Sequence, residues 1–287
     1  MAEVSVIIVN YNTTEEVIRC IRSVIAQTRD VSFEIILVDN NSPDRSIDEL
    51  TVLFPDIRYI RNRRNEGFGS ACNTAAATAQ GAFFFLLNPD TVLYNNAILL
   101  FYRFWKQHEA SLALSCLGAQ MSNDRGEAVH SKGDFPRMRL YLQQKVKSLA
   151  NRLRTKKEVP LFSVPVKPFE AAEYVTGADL FISKKNFELV QGFDPRFFLY
   201  FEETDLQYRL AKKGRQAYLV EGPRIGHAQY KSFGGNTKQQ RVLYRESMLQ
   251  YFQKHNPGVR FFAFYLCWNL LDFRTLVQKI GYGSKTG

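Results

Sequence analysis

"VSVIIVNYNTTEEVIRCIRSVIAQ", residues 4–27, decides how the rest of the chain is read. Residues 4–9 form a β-branched apolar run without polar alternation, the pattern of a strand buried on both faces. The run ends in Asn10-Tyr11-Asn12, and a helical apolar period starts at once, with Thr13 and Glu16 at the spacing of a capping box. The same unit returns. "EIILVD" (34–39) and "IRYIRN" (57–62) predict a second and third strand, "GSACNTAAATAQ" (69–80) a helix, and "AFFFLLN" (82–88) a fourth strand. Buried strands joined by helices predict an α/β fold, a mostly parallel sheet covered on both faces. Beyond about residue 110 the elements shorten and mix, and from about Lys238 the pattern is helical.

In such sheets ligands bind at the carboxyl ends of the strands. Three of these ends carry polar clusters: Asn10-Tyr11-Asn12, the run from Asp39 to Asp44, and Asn88-Pro89-Asp90. No GxGxxG turn follows the first strand and no GxxxxGK[ST] loop exists, so a nucleotide-like ligand would be held by side chains and a cation. A fourth cluster is "LYFEETDLQYRL" (199–210), where Glu202, Glu203 and Asp205 follow a run of aromatic and apolar residues. Acids in a first helical turn complement the helix dipole; in a dry pocket one of them is a candidate base.

The 287 residues are 45% apolar, enough for a core, and carry a formal charge of +10. Eight Lys or Arg and no acid fall in residues 137–157, interleaved with Met138, Leu140, Leu142, Val146, Leu149 and Leu153. This reads as an amphipathic cationic insert for an anionic membrane surface or a diphosphate-linked lipid; no motif supports nucleic acid. Cys20, Cys72, Cys116 and Cys267 form no CxxC pair and read as reduced packing residues. The N-terminus lacks a basic n-region, and the longest apolar stretch, residues 261–271, is too short to span a bilayer. A cytoplasmic protein, peripheral at the inner face of the cell membrane, is expected.

The ordered set "VSVIIVNYN", "EIILVDNNSPD", "NEGFGSACN", "FFLLNPDT", "VTGADLFISKKNFELVQGFDPRFFLYFEETDLQYRL", "KKG" and "GHAQY" resembles glycosyltransferase family 2, inverting enzymes with the GT-A fold, over residues 3–235. Within it the chain is similar to rhamnosyltransferase-type members of bacterial cell-surface polysaccharide synthesis. The resemblance implies a nucleoside diphosphate sugar donor, dTDP- or UDP-linked with rhamnose as the sugar, and a saccharide or lipid-linked acceptor. It implies donor binding by Asn10, Asn12, Asp39, Asn65, Gly67, Asn88 and Asp90. It implies a Mg²⁺ or Mn²⁺ on Asp90 and His227, the diphosphate supplying further ligands. Asn88 stands where most relatives have the first acid of an Asp-x-Asp motif, which removes one charge from the metal site. "FEETD" matches the family's "ED-x-D", giving Glu203 as base, one methylene longer than the usual Asp, with Glu202 and Asp205 as runners-up. Asp179 and Tyr200, and Asp194 unless it only shapes a turn, fall on the acceptor side.

Two other readings keep the same residues. A glycoside hydrolase would need two carboxylates about 5–9.5 Å apart and no cation for its leaving group. A degenerate GT-A protein would bind nucleotide sugar without transfer, as Asn88 and Glu203 allow. The expected division is a GT-A domain at 1–237, with the insert at 137–157, and a helical, aromatic-rich extension at 238–287 that lies at the same interface or joins two copies.

Overall fold

The computed structural model describes residues 2–43, 46–150, 168–228 and 237–283. Its centre is a sheet of eight strands in the order β3-β2-β1-β4-β10-β6-β11-β8. β1 (Val4–Asn10), β2 (Phe33–Asp39), β3 (Arg58–Arg61) and β4 (Phe83–Leu87) run parallel, as the four apolar runs predict. β10 (Asp179–Ser183) then inserts antiparallel between β4 and β6 (Leu114–Ala119). β11 (Gln216–Val220) lies parallel to β6, and β8 (Phe169–Ala172) closes the edge antiparallel to β11.

Both faces of the sheet are dry, which explains the absence of polar alternation. Val4, Val6 and Ile8 of β1 enter one core cluster with α1 (Thr14–Gln27) and α4 (Ala97–His108). Ile7 and Val9 enter the opposite cluster with α3 (Phe68–Ala76), α6 (Lys184–Leu189) and α7 (Glu202–Ala211). Cys20, Cys72 and Cys116 are buried free thiols as expected, but Cys267 is exposed. The capping box does not form: the Thr13 hydroxyl and amide both donate to Asn10 Oδ1, at 3.0 and 3.1 Å, and no side chain caps α1. Asn10 outcompetes Glu16 because the strand end it belongs to is already fixed beside Thr13.

Parallel register brings the ends of β1, β2 and β4 to one rim, with Asn10 opposite Asp39. The antiparallel β10 begins where those strands end, Asp179 pairing with Leu87, so Gly177 and Ala178 reach the same rim. A two-stranded ribbon of β5 (Thr91–Leu93) and β12 (Ile225–His227) folds over it, pairing His227 with Thr91.

The chain beyond the sheet forms α5 (Met138–Ala150), α8 (Thr237–His255) and α9 (Val259–Gly283). Residues 151–157 of the basic insert, with Leu153, and Gln229-Tyr230 of the "GHAQY" run lie outside the described residues. A third core, built from Phe197, Phe201, Met248, Tyr251, Phe252 and Phe264, joins α8 and α9 to the segment that precedes α7. The extension is therefore packed onto the sheet domain rather than tethered beside it. Among the described residues no helix is long and apolar enough to cross a membrane.

Candidate active site

A cavity of about 420 Å³ opens at the rim. Its floor is the strand-end residues Asn88-Pro89-Asp90 and Thr176-Gly177-Ala178; one wall is Asn40, Asn65, Gly67 and Phe68; the other is Phe198, Leu199, Tyr200, Glu202 and Glu203. His227 enters from β12 and Gln240 from α8.

The carboxylate cluster that follows the aromatic run splits three ways. Tyr200 and Phe201 both adopt left-handed backbone, φ 69° and 68°. Such conformations cost about 1–3 kcal/mol each in bulky residues. Burial of Phe201 in the third core returns about 1.5–3 kcal/mol, and Tyr200 is turned toward the cavity. α7 thereby starts with Glu202 and Glu203 at the cavity wall. Each has an Oε2 that is buried and lacks a hydrogen-bond partner. Burial pushes the Glu202 carboxyl well above the ordinary range, and the neighbouring Glu203 charge adds to it. Burial also raises Glu203, against the helix-end amides of Glu203 and Thr204 that favour its ionised form. Desolvation thus overrides the helix dipole in this turn. Burial and the neighbouring charge disfavour two negative charges side by side at this wall.

Asp205 is removed from contention. Its side chain is fully buried, bound by Arg209 Nε at 2.7 Å, Lys254 Nζ at 2.6 Å and His255 Nε2 at 2.8 Å, and it does not line the cavity. Burial pushes its carboxyl up, but the His255 hydrogen bond and the Arg209 and Lys254 charges win and hold it below the ordinary value. Lys254 also binds Asp194 at 2.7 Å, and Asp194 pairs with Arg196 at 2.6 Å, so Asp194 too is a structural residue.

Asp179 likewise does not line the cavity. It is fully buried, its Oδ2 accepts from the Ala119 amide at 2.6 Å, and burial pushes its carboxyl up to about 7. Its Oδ1 is buried without a hydrogen-bond partner, and the carboxyl lies close enough to His227 for that charge to oppose the effect of burial. Tyr200, in contrast, lines the cavity.

The expected donor residues divide as well. Asn65, Gly67, Asn88 and Asp90 line the cavity; Asn10, Asn12 and Asp39 do not. Asn10 Nδ2 donates to Asp39 Oδ1 at 3.1 Å and Ser42 Oγ at 3.2 Å, and Asp39 Oδ2 accepts from the Ser42 amide. These two residues, fully and almost fully buried, brace the strand ends behind the wall, while Asn12 turns outward with φ 56°. Tyr11 and Thr13 face the cavity in their place.

Asn40 was missed by sequence reasoning, although it adjoins Asp39. Its Nδ2 donates to Asn65 Oδ1 at 2.8 Å and the Gly67 carbonyl at 3.2 Å, while its Oδ1 accepts from Asn62 Nδ2 and the Glu66 amide. One amide thus shapes the loop 62–67. Gly67 sits at φ +82°, and a Cβ there would lie 2.1 Å from the Phe198 carbonyl oxygen. Only glycine allows this loop to touch the segment that carries the acids. Gln240 gave no signal in sequence, because only tertiary packing of α8 brings it to the rim.

Asp90 Oδ1 and His227 Nε2 are 3.2 Å apart, with side chains 10% and 14% exposed, and His227 Nδ1 is buried without a partner. One carboxylate and one imidazole, with a ring nitrogen left unsatisfied, suit a divalent cation that takes its remaining ligands from a bound diphosphate. Among the described residues no group of three or more His, Cys, Asp or Glu is placed to hold a metal ion.

The chain is 34% identical over 134 residues to an uncharacterized glycosyltransferase of Rickettsia felis, covering 45% of this chain and 22% of that protein. It is 29% identical over 150 residues to chondroitin synthase of Escherichia coli, covering 50% and 21%. It is 27% identical over 140 residues to poly(ribitol-phosphate) beta-N-acetylglucosaminyltransferase TarP of Staphylococcus aureus, covering 47% and 42%. The chain thus spans about a fifth of the length of the first two. A crystal structure of GalNAc-T7 with UDP, GalNAc and Mn²⁺ superposes with a TM-score of 0.57 at 18% identity, over 79% of this chain and 44% of that one, and so shares the fold. The family model described as Glycosyl transferase family 2 matches residues 5–162, more than half of the chain, and the protein belongs to that family.

Proposed function

We propose that the protein is a metal-dependent, inverting glycosyltransferase that moves a sugar from a nucleoside diphosphate to a saccharide or lipid-linked acceptor in bacterial cell-surface polysaccharide synthesis. The observation that carries this reading is one cavity that holds both an unsatisfied carboxylate, Glu203, and the Asp90–His227 pair. Polymer-building relatives, chondroitin synthase and poly(ribitol-phosphate) transferases, support a saccharide or polyol acceptor. Rhamnose, carried on dTDP or UDP, is the donor sugar we favour.

Asn65 and Gly67 bind the donor along one wall and Asn88 at the floor, and Asp90 with His227 would hold Mg²⁺ or Mn²⁺. The cation, when bound, neutralises charge on the departing diphosphate. Glu203 accepts the proton of the acceptor hydroxyl as that oxygen attacks the anomeric carbon from the face opposite the diphosphate. Glu202 stands beside it at the same wall, where burial disfavours a second negative charge. Phe198 and Leu199 exclude water, and Tyr200 offers a ring to the acceptor sugar.

The test measures nucleoside diphosphate release from a panel of nucleotide sugars, with and without Mn²⁺ and with oligosaccharide acceptors. Cation-dependent, acceptor-dependent release supports the proposal. Cation-dependent binding of a nucleotide sugar with no release under any acceptor would instead favour the degenerate binding protein, for which the missing charge at Asn88 speaks.

A further inference from the structure

α8 reaches the cavity at Gln240 and then runs on beside it. Tyr244, four residues further, follows Gln240 on the same face of the helix. Its ring lies 5.8 Å from that of Tyr200, edge to face, and 5.2 Å from that of Phe201. One turn on, Ser247 donates to the Leu199 carbonyl, and beyond it Tyr251 packs on Phe201. The helix therefore tracks the segment 199–201, and Tyr244 stands between the end that meets the cavity and the end that enters the third core.

Unlike Tyr251, Tyr244 is 43% exposed. Its hydroxyl is bonded to that of Tyr141 of α5 at 2.7 Å, which ties the ring in place. It stands on the side of Glu203: burial, with Glu203 and Tyr244 nearby, pushes the Tyr174 hydroxyl above its ordinary range. A fixed, partly open tyrosine beside a cavity wall offers an apolar face and a polar edge. A sugar ring has the same make-up, C–H groups on its faces and hydroxyls at its rim, and the Gln240 amide both donates to and accepts from hydroxyls. A lipid chain would leave that amide unused. Tyr200, Gln240 and Tyr244 carry no charge that would select a phosphate.

We infer that Gln240 and Tyr244 form a second acceptor subsite, with Tyr200 under the sugar that receives the new residue and Tyr244 under the sugar before it. The inference rests on the transferase reading and deepens it: the preferred acceptor is a disaccharide or longer, and α8, outside the residues matched by the family model, selects it.

The experiment measures nucleoside diphosphate release by wild type, Y244L, Y244F and Q240A, after melting curves show that each variant folds. The acceptors are methyl glycosides of glucose, galactose, N-acetylglucosamine and rhamnose, and disaccharides that end in each. Tyr244→Leu keeps apolar bulk against Phe201 and removes the flat ring. It is expected to raise the disaccharide KM about tenfold and to lower the preference for disaccharide over monosaccharide by the same factor, with donor KM unmoved. Tyr244→Phe keeps the ring and is expected to keep the wild-type KM. Gln240→Ala is expected to raise the disaccharide KM about fivefold, and it reports on the subsite even where Tyr244→Leu fails to fold. A disaccharide KM that neither Y244L nor Q240A moves overturns the inference. So does Y244F as poor as Y244L, which would make the Tyr141 bond rather than the ring the cause, or an equal loss on monosaccharide and disaccharide. Wild type without acceptor-dependent release would instead sink the transferase reading, and the subsite with it.

Discussion

Substituting Glu203 by Gln tests the assignment of the base most directly, because Gln keeps the shape of the side chain and removes only its ability to accept a proton. Loss of a positioned general base costs about 10²–10⁴ in rate, equivalent to about 3–5 kcal/mol of transition-state stabilisation. Donor affinity should not move, since Asn65, Gly67, Asn88 and Asp90 are untouched. The matching Glu202→Gln change should cost far less, because Gln keeps the shape of the wall and removes a charge that burial already disfavours. Stability gives an independent readout of opposite sign. A carboxyl whose folded pKa is raised binds its proton more tightly folded than unfolded, so it lowers stability as pH rises from its unfolded pKa to its folded one. Removing it should raise the thermal midpoint at neutral or alkaline pH, by about 2–4 °C per 1 kcal/mol relieved, and have no such effect at acidic pH. The assay is initial-rate nucleoside diphosphate release, with melting curves at two pH values. A dead Glu202→Gln beside an active Glu203→Gln would refute the division of roles. A lower midpoint for Glu203→Gln at neutral pH would refute the buried, unpartnered state from which that division is argued.

Asp90→Ala should abolish Mn²⁺-dependent thermal stabilisation by a nucleoside diphosphate and most turnover, with His227→Ala weaker in the same direction; unchanged cation dependence would contradict the metal assignment. Gly67→Ala should raise the donor KM and destabilise the chain by about 1–3 kcal/mol, since the new Cβ meets the Phe198 carbonyl oxygen and positive φ is strained for alanine; wild-type melting and KM would show that the loop is not fixed there. Asp205→Asn removes the buried counter-charge of Arg209 and one of the two that Lys254 has, Asp194 remaining, for an expected loss of about 3–5 kcal/mol by denaturant unfolding. Because the Asp205 carboxyl is held low when folded, wild type should lose that contribution as pH falls through its folded pKa, and the variant should melt with a flatter acid limb.

The fold was legible because its strands are buried on both faces, so β1, β2 and β4 appear as unbroken apolar runs with polar ends. Parallel register then forced those ends to one rim, and Asn88, Asp90 and Asn65 could be placed from sequence. What sequence pattern could not distinguish was a polar residue that faces the cavity from one that braces it. Asn10 and Asp39 sit at strand ends yet bind each other, while Asn40, one residue on, shapes the wall. The same ambiguity ran through "EETD": three acids within four residues point in different directions on a helix, and only Lys254 and His255, about fifty residues later, show that Asp205 faces away. Asp179 begins β10 beside the ends of its parallel neighbours, and sequence could not show that it is fully buried and outside the cavity lining. The capping box at Thr13 had correct spacing, but Asn10 was a nearer acceptor than any local rule considers.

Lys254 reaches from α8 to Asp194 and Asp205 on either side of the acidic turn, and Ser247 donates to the Leu199 carbonyl at 2.8 Å. For protein engineering this makes the last fifty residues a poor place to cut. A chain ended at residue 237 would take Lys254 from both carboxylates, leaving Asp194 to Arg196 and Asp205 to Arg209, and bare Phe197 and Phe201. A grafted acceptor preference has a better chance if α7 and α8 travel together as one cassette, with the salt-bridged seam carried intact across the splice.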